Sequence, residues 1–132
     1  MIFVDTSFWV AIRNARDGHN HEAQRLLSGA NNPLVTSNLV RGETWTFLRR
    51  RIGHAGAMNY LDSLDRSERL EVISISSELE DRAWAWLRKH DERAYSFVDA
   101  TSFALMRSMK IKDALAFDGD FSAAGFRELR PS

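Results

Sequence analysis

The chain begins with three apolar residues, 2–4, that run directly into a carboxylate, Asp5, and two hydroxyl residues. A continuous apolar run of this length is typical of a strand buried on both faces, and such strands belong to parallel sheets. In open α/β sheets, ligands bind just beyond the carboxyl ends of the strands. The stretch therefore predicts that Asp5 lies at a functional site. It also predicts that Thr6 or Ser7 caps a helix over about 8–15.

Patterns typical of strands and helices alternate along the rest of the chain. Further strands are predicted at 34–36, 70–73 and 114–117, with a short fifth at 125–129. Helices are predicted over about 19–27, 38–51, 55–64, 77–90 and 97–109, with a break at Gly53 and capping boxes at Ser77–Glu80 and Ser96–Asp99. Strands separated by helices predict one α/β domain over 1–132. Its parallel sheet of four to five strands should be covered by helices on both faces.

Composition limits the kinds of site that the chain can form. The 132 residues include no cysteine, which excludes a disulfide framework and a thiolate metal site and fits a reducing compartment. No apolar stretch is long enough to cross a membrane, and the acidic start is unlike a signal peptide, so we expect a cytoplasmic protein. The formal net charge is zero. Zero net charge argues against adhesion to nucleic acid over the whole surface, but it allows a local basic patch.

Three later carboxylates stand where they could join Asp5. Asp118 follows the apolar run at 114–117, so it ends a predicted strand as Asp5 does. Glu43 and Asp99 stand near helix starts, each on a face with apolar residues, and we expect both to point inward. Each of the three residues also has a purely structural explanation. Glu43 could pair with Arg50 or reach solvent. Asp99 could be only the acid of a capping box, and Asp118 could belong to a tight turn.

Taken together, the four carboxylates favour a metal site. Two unit charges about 4 Å apart repel by about 4 kcal/mol at an effective dielectric constant near 20. A divalent cation removes that repulsion, and Mg²⁺ prefers oxygen ligands and substrate phosphates. Zinc is disfavoured because there is no cysteine and the four histidines share no ligand spacing.

Several motifs, taken in order, resemble those of the PIN-domain ribonucleases and, within them, the VapC toxins of VapBC toxin–antitoxin modules. They are Ile2-Phe3-Val4-Asp5-Thr6-Ser7, Gly42-Glu43, Tyr95-Ser96-Phe97-Val98-Asp99-Ala100 and Phe117-Asp118-Gly119-Asp120-Phe121. The resemblance covers essentially the whole chain. It implies that Asp5, Glu43, Asp99 and Asp118 form a catalytic, metal-binding quartet, with Asp120 as a fifth ligand. The implied cofactor is Mg²⁺, with Mn²⁺ as a substitute.

The same resemblance implies an activity and partners. It predicts a toxic endoribonuclease that hydrolyses RNA phosphodiesters, leaves a 5′-phosphate and a 3′-hydroxyl, and inhibits translation. The segment 95–126 looks most like a branch that cuts the sarcin–ricin loop of large-subunit ribosomal RNA, and a transfer-RNA-cleaving relative is the alternative. A VapB-type antitoxin that covers the pocket and a homodimer are also implied.

Basic residues provide candidates for contacts with the RNA backbone. Arg49, Arg50 and Arg51 end the predicted third helix, and Arg93 precedes the Tyr95 segment. Arginines at helix ends also complement the helix dipole without binding a ligand. Ser7 is a further candidate, because the resemblance implies that a hydroxyl beside Asp5 holds a water at the metal site.

Four other protein classes share parts of this pattern. A haloacid-dehalogenase-like phosphatase needs a second Asp where this chain has Ser7, and a receiver domain needs a different arrangement of acids and lysine. A PIN-like nuclease for structured DNA usually carries extra helices. A non-catalytic binding protein, whose acidic pocket holds only an ion or a basic peptide, is the main non-enzymatic alternative.

Overall fold

A parallel sheet is the centre of the molecule. The computed structural model describes residues 1–29 and 31–132. Its strands are β1 (Ile2–Val4), β2 (Leu34–Ser37), β3 (Leu70–Ile73), β4 (Asp113–Leu115) and β5 (Arg127–Glu128). They pair in the order β3-β2-β1-β4-β5, and every pair is parallel. The predicted parallel sheet, including its short fifth strand, is confirmed.

Within residues 1–29 and 31–132, six helices connect the strands. They are α1 (Thr6–Arg13), α2 (Asn20–Ser28), α3 (Asn38–Arg66), α4 (Ser77–Lys89), α5 (Phe97–Ser108) and α6 (Asp120–Ala123). The chain moves outward from β1 to β2 and β3, then returns past β1 to β4 and β5. Because parallel crossovers are right-handed, the two directions of travel place α1–α3 and α4–α6 on opposite faces of the sheet. In the described part of the chain, no helix is both long and apolar enough to cross a membrane.

The reversal between β1 and β4 determines where a ligand can bind. At such a switch point, the loops after the two neighbouring strands diverge and leave a crevice at the carboxyl edge of the sheet. Asp5 follows β1, and Asp118 lies three residues after the end of β4. The strand order thus brings these two acids to the same crevice, as the sequence predicted for ends of parallel strands.

The first helix begins earlier than its sequence predicted. The prediction that Thr6 or Ser7 caps it is wrong, because Asp5 is the N-cap and its carboxylate accepts a hydrogen bond from the Ser7 backbone N–H. Asp is among the best N-cap residues, since its short side chain can reach the free N–H groups of the first turn. Helix α1 therefore starts directly after β1, and the same carboxylate both caps the helix and faces the crevice.

The capping predictions for the later helices have mixed outcomes. The box at Ser77–Glu80 is wrong by one residue, because Ser76 is the N-cap of α4 and accepts from the Leu79 N–H. The box at Ser96 and Asp99 is confirmed, with both reciprocal hydrogen bonds present. Helix α6 was not predicted at all. It is only four residues long, and the buried Phe121 ring attaches it to the core.

Aromatic packing fixes the turn between β4 and α6. The Phe121 ring stacks on Phe3 of β1 with centroids 5.9 Å apart and meets Phe103 of α5 edge-on at 4.9 Å. All three side chains are fully buried. Buried aromatic pairs stabilise a fold by area burial and by their edge-to-face geometry. The acids at 118 and 120 therefore stand on a turn that is anchored in the core.

Candidate metal and active site

One pocket collects all five carboxylates that the sequence singled out. It lies at the carboxyl edge of the sheet, has a volume of about 590 Å³, and its lining includes Asp5, Glu43, Asp99, Asp118 and Asp120. They come from four separate parts of the chain: the β1–α1 junction, α3, α5 and the β4–α6 turn. The sequence predicted this convergence. The roles of these residues in metal binding and catalysis stay predictions.

Asp5 is held in place by a nearby residue of α1. Its Oδ2 atom accepts hydrogen bonds from the Ser7 backbone N–H at 3.1 Å and from the Ser7 hydroxyl at 2.7 Å. The same Ser7 hydroxyl accepts from the Phe117 backbone N–H at 3.0 Å. Ser7 thus links the segments that follow β1 and β4. Its hydroxyl is used within the chain, and its predicted RNA contact stays a prediction.

Asp99, Asp118 and Asp120 form the tightest acidic cluster in the described part of the chain. One carboxylate oxygen from each lies within 4.8 Å of the other two. The capping box orients Asp99, whose Oδ2 accepts from the Ser96 N–H at 3.0 Å. The turn orients the other pair, because the Asp120 N–H donates to Asp118 Oδ1 at 3.1 Å.

Burial and mutual repulsion change the acidity of these groups. Burial, together with the charge of Asp118, raises the pKa of Asp5 to about 8 despite the lowering effect of the Ser7 hydrogen bonds. Burial likewise raises the pKa of Asp99 to about 6, again against hydrogen bonds from Ser96. The pKa of Asp118 is raised by burial as well. A bound cation would favour the ionised form of all three.

The donor set fits a hard divalent cation. Three carboxylate oxygens within 4.8 Å of one another can contact one ion, and Asp5 and Glu43 belong to the walls of the same pocket. Mg²⁺ takes oxygen ligands, is commonly held by one or two carboxylates and keeps several waters. The pocket offers carboxylates together with room for water and a phosphate.

Glu43 lines the pocket, but its side chain does not point inward as the sequence predicted. It is exposed on α3 and does not point into the apolar interior. Its Oε1 accepts from the Thr6 hydroxyl at 2.7 Å, and the Thr44 hydroxyl donates to Thr6 at 3.1 Å. The observed partner is therefore Thr6 of α1, not Arg50. This relay fixes the Glu43 carboxylate on the wall of the pocket.

The predicted RNA-contacting arginines separate into three groups. Arg93 lies against the acidic cluster, where its Nε donates to Asp120 Oδ1 at 3.0 Å. Arg51 extends over the ring of Phe47, which lines the pocket, with the guanidinium carbon 4.6 Å from the ring centroid. Arg49 and Arg50 are exposed on the same helix and lie outside the pocket lining.

Sequence reasoning gave no role to several other residues that line this pocket. Among them are Asp17, His19 and Phe117. His19 and Phe117 stack face to face, with ring centroids 4.4 Å apart and an interplanar angle of 4°. Nothing local in the sequence links two rings so far apart along the chain. The position of Phe117 immediately before Asp118 was the one signal that could have placed it at the site.

An α/β domain with carboxylates at the β1–β4 switch point is the arrangement expected for a PIN-domain nuclease. A family model described as "PIN domain" matches residues 2–127, and the chain belongs to this family. Among its relatives is the "23S rRNA-specific endonuclease VapC20" of Mycobacterium tuberculosis, found in strains H37Rv and CDC 1551. It is 54% identical over 131 residues, with 99% of each chain covered.

A solved structure agrees with this assignment. The crystal structure of M. tuberculosis VapC20, described as a sarcin–ricin loop cleaving toxin, superposes with a TM-score of 0.94 and 53% identity. The match covers 99% of this chain and all of that one. The predicted family resemblance and fold class are confirmed, and the chain is similar over its whole length to a VapC toxin.

Proposed function

We propose that this chain is a metal-dependent endoribonuclease, the toxin of a toxin–antitoxin pair, that cuts the sarcin–ricin loop of large-subunit ribosomal RNA and so inhibits translation. The observation that carries the proposal is the end-to-end similarity, at 54% identity, to a protein named as a 23S rRNA-specific endonuclease. The acidic pocket supports the chemistry, because it combines close acidic oxygens with space for a phosphodiester.

Asp99, Asp118 and Asp120 would hold the ion, with Asp5 and Glu43 completing the site from the adjoining walls. Mg²⁺ is the proposed cofactor, and Mn²⁺ is a substitute with the same preference for oxygen ligands. When bound, the ion would neutralise the clustered carboxylates and stabilise the charge that develops on the scissile phosphate. Burial and neighbouring acids raise the pKa values of Asp5 and Asp99, and a bound cation would act against that shift by favouring the ionised carboxylates.

The chain's own groups would orient the reactants. Glu43, fixed by the Thr6 hydroxyl, can accept a hydrogen bond from the attacking water and take up its proton at a carboxylate oxygen. Water then attacks phosphorus, the bond to the 3′ oxygen breaks, and the leaving 3′ oxygen takes a proton from a solvent water in the pocket. The products are a 5′-phosphate and a 3′-hydroxyl, and the ribose 2′-hydroxyl is not a nucleophile in this reaction.

Arginines at the rim would hold the RNA backbone. Arg51 is the best placed, because its guanidinium lies over Phe47 at the pocket edge. Arg49 and Arg50 would extend the same basic surface along α3. Arg93 can exchange its contact with Asp120 for one with a phosphate, and the Ser7 hydroxyl is the remaining candidate. Phosphate contacts of this kind position RNA without reading its sequence.

The proposed partners follow from the same assignment. A VapB-type antitoxin would inhibit by covering the acidic pocket with a basic side chain, and ribosomal RNA as substrate places the protein in the cytoplasm. We further propose a homodimer. Trp84 is 45% exposed and stacks on Phe97 at 4.3 Å, which leaves a large aromatic surface open to a second copy. Sedimentation velocity of the purified chain measures its mass in solution.

The proposed function is tested by incubating intact ribosomes with the purified chain and Mg²⁺, beside Asp99→Asn and Asp81→Asn variants. The amide oxygen that replaces the Asp99 carboxylate can still accept the capping hydrogen bond from Ser96, so the Asp99→Asn variant should fold while losing a metal ligand. Asp81 is exposed on α4 and serves as the matched control. We expect one new 5′-phosphorylated end in the sarcin–ricin loop with the parent chain and Asp81→Asn, and none with Asp99→Asn.

Other results would redirect the assignment. Metal-dependent cutting of a transfer RNA pool, with ribosomes left intact, would keep the nuclease and replace its substrate. A 2′,3′-cyclic phosphate product would overturn the mechanism. Absence of cleavage with both RNAs would favour a binding protein.

A further inference from the structure

The stacked pair His19–Phe117 stands at the wall of the acidic pocket and has no part in the proposed hydrolysis. Both rings line the pocket, and Phe117 directly precedes Asp118. The rings are parallel within 4°, with centroids 4.4 Å apart. The pair is therefore a flat aromatic surface next to one of the proposed metal ligands.

Phe117 is a firmly held support. Its backbone N–H donates to the Ser7 hydroxyl at 3.0 Å, which ties it to the start of α1. The Phe8 ring lies 5.9 Å away, and the Arg130 guanidinium carbon is 4.9 Å from the Phe117 centroid. These contacts fix the plane of the Phe117 ring. Because the His19 ring stacks on it, they also set the plane of the imidazole.

His19 is the exposed layer of the stack. Its side chain is 48% exposed although Phe117 covers one of its faces, so much of the exposed surface belongs to the other face and the ring edge. The Nδ1 atom lies 3.1 Å from Glu22 Oε1, and the His19 backbone N–H donates to Asp17 Oδ1 at 2.8 Å. These contacts orient the imidazole while leaving a flat face uncovered. An aromatic face held ready in this way suits a planar ligand.

We propose that the open face of His19 is a stacking site for an unpaired nucleobase beside the scissile phosphate. This inference rests on the nuclease function proposed above, because it takes RNA as the ligand of the pocket. Proteins recognise RNA mainly in single-stranded loops, where bases leave the stack and pack on aromatic or histidine rings. A base on His19 would lie in the same pocket as the acidic cluster, within which its own phosphate would approach the proposed metal site. The stack would then select a loop nucleotide and fix the register of cleavage.

The test measures binding and stacking without cleavage. A hairpin with the sarcin–ricin loop sequence carries 2-aminopurine at one unpaired position at a time, and each RNA is titrated with the Asp99→Asn chain. The fluorescence of 2-aminopurine is quenched when the base stacks on a ring. We expect added quenching at one loop position near the cut. His19→Ala in the same background should abolish that quenching and weaken binding by about 5- to 150-fold, the range for loss of one base–aromatic stack.

Two further variants separate stacking from other causes. His19→Phe keeps a flat ring and should retain the quenching, with affinity within about threefold of the parent by the same stacking argument. His21→Ala removes a neighbouring exposed histidine of α2 that lies outside the pocket lining, and it should leave both readouts unchanged. Thermal unfolding of each variant checks that the fold persists.

The outcomes distinguish this inference from the proposed function. If the unmutated chain cuts ribosomes and the Asp99→Asn chain binds the hairpin, while His19→Ala in that background keeps normal affinity and quenching, the stacking site is refuted and the nuclease stands. Loss of binding in His19→Phe as well as His19→Ala would also refute stacking, because a polar atom of the imidazole would then hold the RNA. If the parent binds no hairpin, the stacking site and its RNA substrate are both overturned.

Discussion

Arg93 and Asp120 form an ion pair at the edge of the acidic cluster, with Arg93 Nε 3.0 Å from Asp120 Oδ1. The Arg93 Nη2 atom also donates to the Asp118 backbone carbonyl at 3.3 Å. The Arg93 guanidinium therefore contacts one of the three acids that lie close enough together to share a metal ion. This pair competes with a metal ion for the charge of Asp120.

Replacing Arg93 by Ala should tighten metal binding. An exposed ion pair contributes about 0.2–1 kcal/mol, so its removal should lower the dissociation constant for Mn²⁺ by up to about fivefold. Titration of the metal-free protein, followed by electron paramagnetic resonance of free Mn²⁺, measures this constant without using activity. Arg82→Ala, which breaks a pair with Glu78 on α4, is the matched control. Weaker Mn²⁺ binding by Arg93→Ala would instead mean that Arg93 orders the acids for the ion.

The raised pKa of Asp5 should make the metal-free protein less stable as the pH rises. Between the ordinary Asp pKa near 4 and the folded value of about 8, the unfolded chain has released a proton that the folded chain retains. The unfolded state then binds fewer protons, so the free energy of unfolding falls with increasing pH through this window. Thermal unfolding in EDTA at pH 5 and pH 8 measures the effect, and Mg²⁺ should raise Tm more at pH 8.

Asp5→Asn isolates the contribution of this carboxyl group. Asn is also a good N-cap and can accept the bond from the Ser7 N–H, so helix α1 should persist. We expect the metal-free variant to lose less stability than the parent between pH 5 and pH 8, and to gain less from Mg²⁺. The raised pKa of Asp5 would be contradicted if the Tm of the parent in EDTA rises between pH 5 and pH 8. It would also be contradicted if Asp5→Asn shows the same change of Tm with pH as the parent.

The Thr6 hydroxyl should matter for the rate of cleavage more than for stability. It donates to Glu43 Oε1 at 2.7 Å, and we expect Thr6→Val to release that carboxylate while preserving side-chain volume. Groups that orient the residues of a metal site typically affect activity by about 10- to 100-fold. Single-turnover cleavage should slow by that factor in Thr6→Val and recover in Thr6→Ser, with Tm nearly constant. If Thr6→Val cleaves RNA as fast as the parent, the hydrogen bond from Thr6 to Glu43 is not needed for the reaction.

Arg51 should contact one RNA phosphate. In the non-cleaving Asp99→Asn background, Arg51→Ala should weaken RNA binding and reduce the slope of log affinity against log salt by about 0.7, the value for one phosphate of a single strand. Arg82→Ala removes an equal charge from α4 and should leave the slope unchanged. Equal slopes in both variants would exclude Arg51 from the RNA path.

The parts of the site that the sequence predicted correctly depend on local patterns. An apolar run that ends in an acid places Asp5 directly after β1 and Asp118 just beyond β4, although β4 ends at Leu115 and not at the predicted residue 117. The Ser96–Asp99 spacing is a capping box that α5 retains. Because parallel strands share one carboxyl edge, these local patterns were enough to predict a common pocket. The family resemblance then added Glu43, whose position on a helix did not by itself distinguish a functional acid from a surface one.

The parts that the sequence did not predict depend on contacts between distant segments. Arg93 and Asp120 are 27 positions apart, and no periodicity predicts that they pair. The His19–Phe117 stack joins the start of α2 to the segment after β4 for the same reason. Capping errors had a different cause: adjacent Ser76 and Ser77 are chemically equivalent candidates, and only the path of the chain after β3 selects Ser76.

Two glycines of α3 should respond in opposite directions to substitution by alanine. Gly53 interrupts the helix with φ 90° and ψ 175°, a conformation that only glycine adopts readily, whereas Gly42 lies within the regular first half and is exposed. An added Cβ meets no atom within 4 Å at either position, so backbone conformation alone decides the outcome. Gly53→Ala should lower the free energy of unfolding by about 1–3 kcal/mol. Gly42→Ala should raise it by about 0.5–1 kcal/mol, because alanine restricts the unfolded chain and favours helix.

Urea denaturation of the two variants measures both changes against the same parent. Equal effects of the same sign would mean that the bend at Gly53 relaxes into continuous helix at little cost. The opposite signs expected here would show that the chain maintains the bend against strain, so that the two halves of α3 keep separate directions and the half carrying Glu43 stays at the pocket.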